Sequence, residues 1–203
     1  MNIITEGLPD YVEIGGEPFS INTDFRVWIK LELMFSDDVP EEYRLPIALE
    51  TVYPVIPPDV NEAAEALLAF YAGGVRVKKG KGGKPSRKKR IYSFEHDSDC
   101  IYAAFLQAYG IDLADAHMHW FKFRALFAAL PDDCLMSKIM GWRAMDITKD
   151  MPDSAKKRYR ELKEAYRLPL SQTEEEKIRA AKRFLAGGGG NHCLTADLFS
   201  TLR

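Results

Sequence analysis

The chain has 203 residues, 46% of them hydrophobic and 29% charged, with a formal net charge of −2, which is typical of one globular unit with appendages. Its three cysteines, odd in number and without CxxC spacing, argue against a disulfide framework or a thiolate zinc site and fit a reducing cytosol. The N-terminus has no basic region, and uncharged runs such as residues 100–111 are too short to cross a bilayer, so we predict neither export nor membrane insertion.

The charge is distributed unevenly along the chain. The first 75 residues contain 14 acidic and 3 basic side chains, whereas residues 76–90 contain nine basic side chains and no acidic one. This layout favours head-to-tail association or contact with an acidic partner, and it also permits weak nucleic-acid binding.

The N-terminal segment predicts a hairpin followed by a helix. Short β-prone runs flank Gly15 and Gly16 within residues 10–21, and a glycine pair supplies the positive φ angles of a tight turn. Residues 24–36 then carry apolar side chains at helical spacing after a cap at residues 22–24.

Two helices and a basic loop come next. The helix that begins near Pro40 contains Pro46, which should kink or restart it. A second helix, at 59–72, should stop at Gly73-Gly74. Residues 75–90 are too rich in cations and glycine to bury much surface, so we predict a mobile loop that is disordered in the free protein and dispensable for folding.

The remaining chain is predicted to be helical. Asp97 or Ser98 should cap a helix that ends at Gly110, and a further helix should run from about Leu113 to Leu130. Asp132-Asp133 should cap the next helix. The last two predicted helices, 153–168 and 171–186, carry narrow apolar stripes and are expected to be peripheral.

These signals together predict a mainly α fold, a helical bundle with a small N-terminal β-hairpin and peripheral C-terminal helices. The bundle is expected to use residues 24–36, 59–72, 98–109 and 113–130. The predicted domain organisation is a compact domain at 1–148 containing the basic loop, peripheral helices at 149–186, and a flexible tail at 187–203.

The helix predicted at 113–130 is aromatic on more than one side. Trp120, Phe123 and Phe127 share one face, whereas Phe121 lies about 100° away from Trp120. Either the helix lies in the centre of the core, or its second face binds a partner. On the second interpretation Met118, Trp120 and Phe121 are candidate partner-binding residues.

Sequence motifs give little support to catalysis. Asp112, Asp115, His117 and His119 could suggest a metal, but the two histidines point to different sides of a helix. No nucleophile, phosphate-binding or dinucleotide motif occurs. We therefore predict a protein that is not an enzyme and has no cofactor, metal or catalytic residues.

The basic cluster offers an alternative function. Arg87, Lys88, Lys89 and Arg90 could bind phosphates, with Tyr92 and Phe94 as stacking groups. A solvated loop leading into a strand with core aromatics is favoured over this interpretation, because there is only one short cluster. A nucleic-acid-binding accessory role for residues 76–90 remains the alternative.

Three long stretches point to a family. They read DYVEIGGEPFSINTDFRVWIKLE, DSDCIYAAFLQAYGIDLADAHMHWFKFRALFAALPDDCLMSKIMGWRAMDI and KDMPDSAKKRYRELKEAYRLP. Together they resemble the bacteriophage gene product fifteen family of long-tailed phages and prophages. The resemblance runs to about Leu170 and leaves the tail from Gly187 to Arg203 unassigned.

The resemblance implies a role in building the phage tail. The genes of this family lie between those of the tail-tube and tape-measure proteins, and its members resemble tail assembly chaperones. It therefore implies a homo-oligomer in the host cytoplasm that binds the tape-measure protein, the tail-tube protein or both.

Overall fold

A computed structural model of the chain describes residues 3–36, 39–74 and 90–169. Residues up to Leu168 belong to one compact unit. The elements in chain order are α1 (Ile3–Glu6), β1 (Tyr11–Ile14), β2 (Glu17–Ser20), α2 (Phe25–Ser36), α3 (Glu41–Val52), α4 (Val60–Tyr71), α5 (Ser98–Tyr109), α6 (Trp120–Ala128), α7 (Leu135–Ala144) and α8 (Asp153–Ala165). The mainly α fold with one N-terminal hairpin is confirmed. The predicted basic loop, apart from Arg90, and the predicted helix at 171–186 lie outside the described residues.

The hairpin forms where the glycine pair predicts it. Strands β1 and β2 pair antiparallel, with Val12 opposite Phe19 and Ile14 opposite Glu17. Gly15 and Gly16 have φ angles of 62° and 82°, a region that glycine enters without the steric cost of a Cβ. The Gly15 N–H donates to the Glu62 carboxylate at 2.8 Å, so the turn is tied to α4.

Helix α6 is shorter than predicted, and this corrects the expected start at Leu113. Residues before Trp120 are held by the start of α2: the Phe25 N–H donates to the Met118 carbonyl at 3.0 Å, and the Trp120 N–H to the Thr23 carbonyl at 2.7 Å. His119 then caps α6, with its Nδ1 accepting the Phe121 N–H at 3.0 Å. Hydrogen bonds to the start of α2 therefore take the place of the predicted beginning of this helix, although the local sequence favours a helix there.

Three smaller predictions need correction. Helix α3 runs through Pro46 as one helix, so the restart that was one of the two predicted outcomes does not occur. The missing proline N–H removes one helical hydrogen bond. The cap of α7 is Cys134, whose Sγ accepts the Ser137 N–H at 3.4 Å, rather than the preceding aspartates. Tyr92 and Phe94 lie in irregular chain and a turn instead of a strand.

The core is built from rings contributed by four helices. Phe123 of α6 stacks on Phe25 of α2 at 4.9 Å and on Phe105 of α5 at 5.1 Å between ring centroids. Trp28 is fully buried and stacks on Phe70 of α4 at 5.0 Å. Each such ring removes about 150–250 Å² from water, worth roughly 4–6 kcal/mol as an upper bound. Aromatic packing therefore connects α2 to α4 and to α6, and α6 to α5.

Candidate partner-binding surface

The three aromatic-helix residues proposed as partner-binding are buried inside the subunit. Met118, Trp120 and Phe121 are only 3–6% exposed. Phe121 packs on Phe70 at 4.6 Å between centroids, so α4 covers the second face of α6. Within the subunit these three residues therefore belong to the core, although Trp120 and Phe121 also line a groove beside α6. Their role in binding a partner stays a prediction. The alternative, a core helix, is what the structure shows.

Of the four basic candidate residues, the structure describes only the last. Arg87, Lys88 and Lys89 lie outside the described residues, and Arg90 is exposed at the start of the next described segment. Tyr92 packs edge-on against Phe94 at 5.3 Å and Phe127 at 5.1 Å. Its ring is therefore part of the subunit packing rather than a free stacking platform.

The histidines do not converge on a metal. His119 is occupied as the cap of α6, and its Nε2 lies 2.9 Å from the Pro9 carbonyl. His117 is almost fully exposed and lies 3.8 Å from the Asp24 carboxylate. Within the described parts of the chain, histidine, cysteine and carboxylate side chains form no cluster of three suited to a metal ion.

A groove of about 880 Å³ lies beside α6 and is lined by aromatic, aliphatic and a few polar side chains. Its wall includes Tyr71, Tyr92, Phe127 and Arg124, whose guanidinium lies 5.9 Å from the centre of the Trp120 ring. Gly73, with φ of 87°, faces the same guanidinium, and a Cβ there would clash with it. Such a groove can hold an apolar or aromatic group by packing alone.

A partly buried hydrogen bond holds one wall of the groove in position. The Tyr71 hydroxyl donates to the Glu32 carboxylate of α2. Burial raises the pKa of Glu32, and the Tyr71 hydrogen bond and the charge of Arg90 oppose that rise. Burial also raises the pKa of Tyr71, and the Glu32 contact adds to it. The tyrosine is thus held protonated and positioned by α2.

A buried ion pair joins α7 to Asp97 at the start of α5, and it was not predicted from the sequence. Arg143 of α7 donates to both carboxylate oxygens of Asp97, at 2.6 and 2.9 Å. The same guanidinium donates to the Tyr166 carbonyl at 2.6 Å and to the Ile91 carbonyl at 3.1 Å. The sequence contains little indication of this pair. Asp97 has the pattern of a helix cap, and Arg143 has that of a basic residue in the last turn of a helix.

The accessible apolar side chains concentrate elsewhere, on the helical hairpin of α3 and α4. Half of the exposed large apolar side chains in the described ranges fall between residues 43 and 68: Tyr43, Leu45, Ile47, Val55, Ile56, Val60 and Leu68. Residues 41–71 also contain six acidic side chains and one basic one. The hairpin therefore combines apolar contact area with negative charge.

Comparison with known families accounts for most of the chain. The family described as bacteriophage Gp15 protein matches residues 4–168. The chain belongs to the bacteriophage Gp15 protein family. Neither the curated proteins nor the solved structures contain a match to this Gp15 protein.

The matched range includes nearly every structural feature described above. It runs from within α1 to just past α8, so it contains the aromatic core, the Asp97–Arg143 pair and the α3–α4 hairpin of this Gp15 protein. No helix within the described residues combines the length and apolar character needed to cross a bilayer. The family match identifies a phage protein.

Proposed function

We propose that this Gp15 protein is a tail assembly chaperone that holds the tape-measure protein, the tail-tube protein or both before the tail polymerises. In this proposal it acts as a homo-oligomer in the host cytoplasm and performs no catalysis. Family membership makes it a phage protein. The specific role is supported by the family's resemblance to tail assembly chaperones.

The structural observation that supports the proposal is the exposed apolar surface of the α3–α4 hairpin. Val55 is 72% exposed and Tyr43 is 58% exposed, although the same hairpin buries Val52 and Phe70 in the core. A chaperone must offer apolar area that its client can cover. Surrounding acids keep such a surface soluble while it is uncovered, because like charges disfavour pairing of two identical surfaces.

Co-expression with the two tail proteins tests this role. The tape-measure and tail-tube proteins should each be produced alone and together with the tagged Gp15 protein, and their soluble fractions compared. We expect co-expression to raise the soluble fraction of at least one client, which should then co-purify. Unchanged solubility and no co-purification for both clients would refute the proposal.

A nuclease step in the same purification separates the competing function. Recovery of the client that persists after nuclease treatment supports direct protein binding. Loss of the client after that treatment would indicate a nucleic-acid bridge and favour the accessory role of the basic segment 76–90.

A further inference from the structure

Helix α3 has apolar side chains on two opposite faces. Its core face buries Ala48, Leu49 and Val52. Tyr43, Ile47 and Glu50 follow one another at i, i+4 and i+7, which places them on one stripe on the other side of the helix. The core contacts of α3 therefore leave this stripe uncovered.

Two more exposed apolar side chains follow the end of the helix. Val55 lies three residues after Val52 and is 72% exposed, and Ile56 beside it is 45% exposed. We call Tyr43, Ile47, Glu50, Val55 and Ile56 the outer α3 face. Pro54 and Pro57 bracket the two aliphatic residues, and proline restricts the backbone, so little ordering entropy is lost when a partner binds.

The α3–α4 hairpin that carries the outer α3 face is net negative. Residues 41–71 contain six acidic side chains and one basic one. Glu42 and Glu50 are exposed on α3 itself. The basic one, Arg44, donates from its Nε to the Val39 carbonyl at 2.8 Å. A complementary partner must therefore carry positive charge next to apolar side chains.

The same charge argues against symmetric self-pairing through this face. In a two-fold dimer the same patch meets itself, so the acids of one copy would oppose those of the other. Like charges across an interface oppose association. The charge of the face therefore favours a different surface as its partner.

We infer that the outer α3 face binds a basic, apolar segment of the client protein, one in which lysine or arginine flanks a row of apolar side chains. This inference rests on the proposed chaperone function and names the chemistry of the segment that is held. Apolar contact provides most of the binding affinity, and the acidic side chains favour a positively charged partner.

Binding of labelled model peptides tests the chemistry. The probes are a fluorescein-labelled amphipathic peptide of leucine and lysine, and the same peptide with glutamate in place of lysine. We expect the full-length chain to bind the lysine peptide, with affinity that falls as salt rises, and to bind the glutamate peptide at least tenfold more weakly. Equal affinity for the two peptides, or binding of neither, would overturn the inference.

Variants of the face locate the site. Ile47→Ser combined with Val55→Ser should weaken binding of the lysine peptide at least tenfold, and Glu50→Lys should weaken it and reduce its salt dependence. The matched control is Leu106→Ser on α5, since Leu106 is 46% exposed and lies outside the face. Each variant must melt as the wild type does. Equal losses in the control and in the face variants would place binding elsewhere.

Two further measurements separate this inference from the chaperone role. If the double variant still solubilises and retains the tail proteins in co-expression, the face is not the client site and the inference fails while the chaperone proposal stands. If the wild type retains no tail protein, the chaperone proposal fails, and the peptide measurements alone report the chemistry of the face. Loss of self-association in the double variant, seen by sedimentation, would assign the face to a second copy and refute the inference.

Discussion

Replacing Arg143 with methionine should strongly destabilise the protein. Methionine keeps an unbranched side chain and the helical preference but removes every donor. Asp97, which is 4% exposed, would then keep only the Ser93 N–H at 2.9 Å. The Tyr166 and Ile91 carbonyls would also lose the guanidinium.

The size of the effect follows from burial. Breaking a buried ion pair by removing one partner costs about 3–5 kcal/mol, because the other charge stays out of water without compensation. Arg143 is itself only 8% exposed, so water replaces its hydrogen bonds poorly. We therefore expect Arg143→Met to lower the free energy of unfolding by about 4 kcal/mol, a large share of the stability of a typical domain.

Urea unfolding followed by circular dichroism and tryptophan fluorescence measures this loss. Trp142 stacks on Tyr166 at 5.0 Å, so its emission also reports whether the end of α8 stays docked. Arg167→Met is the control, because Arg167 is half exposed and lies 3.9 Å from Glu164, and we expect a change within about 0.5 kcal/mol.

A second replacement tests whether the unpaired Asp97 carboxylate causes the loss of stability. Adding Asp97→Leu to Arg143→Met should recover part of the stability, because no buried carboxylate is then left unpaired. If Arg143→Met alone lowers the free energy of unfolding by less than about 1 kcal/mol, the Asp97–Arg143 pair does not stabilise the fold as a buried ion pair.

Two further predictions concern the core. Phe121→Asp should unfold the subunit, because the ring is 3% exposed and its replacement leaves both a cavity and a buried carboxylate, which together cost roughly 5 kcal/mol or more. Circular dichroism melting measures this, with the exposed Lys122→Asp as the control. A folded Phe121→Asp variant would contradict the prediction. Burial raises the pKa of Tyr53 to about 12 from an ordinary value of 10, and its hydroxyl donates to the Ala63 carbonyl at 2.9 Å. A raised pKa gives stability that is present below pH 10 and is lost toward pH 12, so between pH 9 and pH 11 the wild type should lose roughly 1.4 kcal/mol more than Tyr53→Phe in urea titrations, and equal losses would contradict the assignment.

Local sequence determined the elements whose signals lie within a few residues. The turn at Gly15 and Gly16 forms as predicted because only glycine adopts both positive φ angles without strain. Helix α4 begins at Asp59, whose carboxylate accepts the Glu62 N–H at 2.9 Å, and α5 ends at Gly110 with φ of 65°. These caps and this turn depend on neighbouring atoms, so composition and spacing were sufficient to find them.

Sequence also indicated that the 113–130 region is aromatic on two sides, but it could not say what covers the second side. The structure assigns that role to Phe70 of α4, which removes Phe121 from the accessible surface, whereas Tyr43, Ile47, Val55 and Ile56 of the outer α3 face stay exposed. Periodicity reports which side chains share a face and carries no information on what that face meets.

Tertiary structure alone decided where α6 begins and which polar groups lie in the core. The stretch before Trp120 pairs with the start of α2, where Asp24 and His119 form an isolated antiparallel bridge. Arg143 meets Asp97 across 46 positions of sequence. Such contacts exist only after the helices have packed, because hydrogen bonds and ion pairs between distant residues depend on the surfaces that packing brings together.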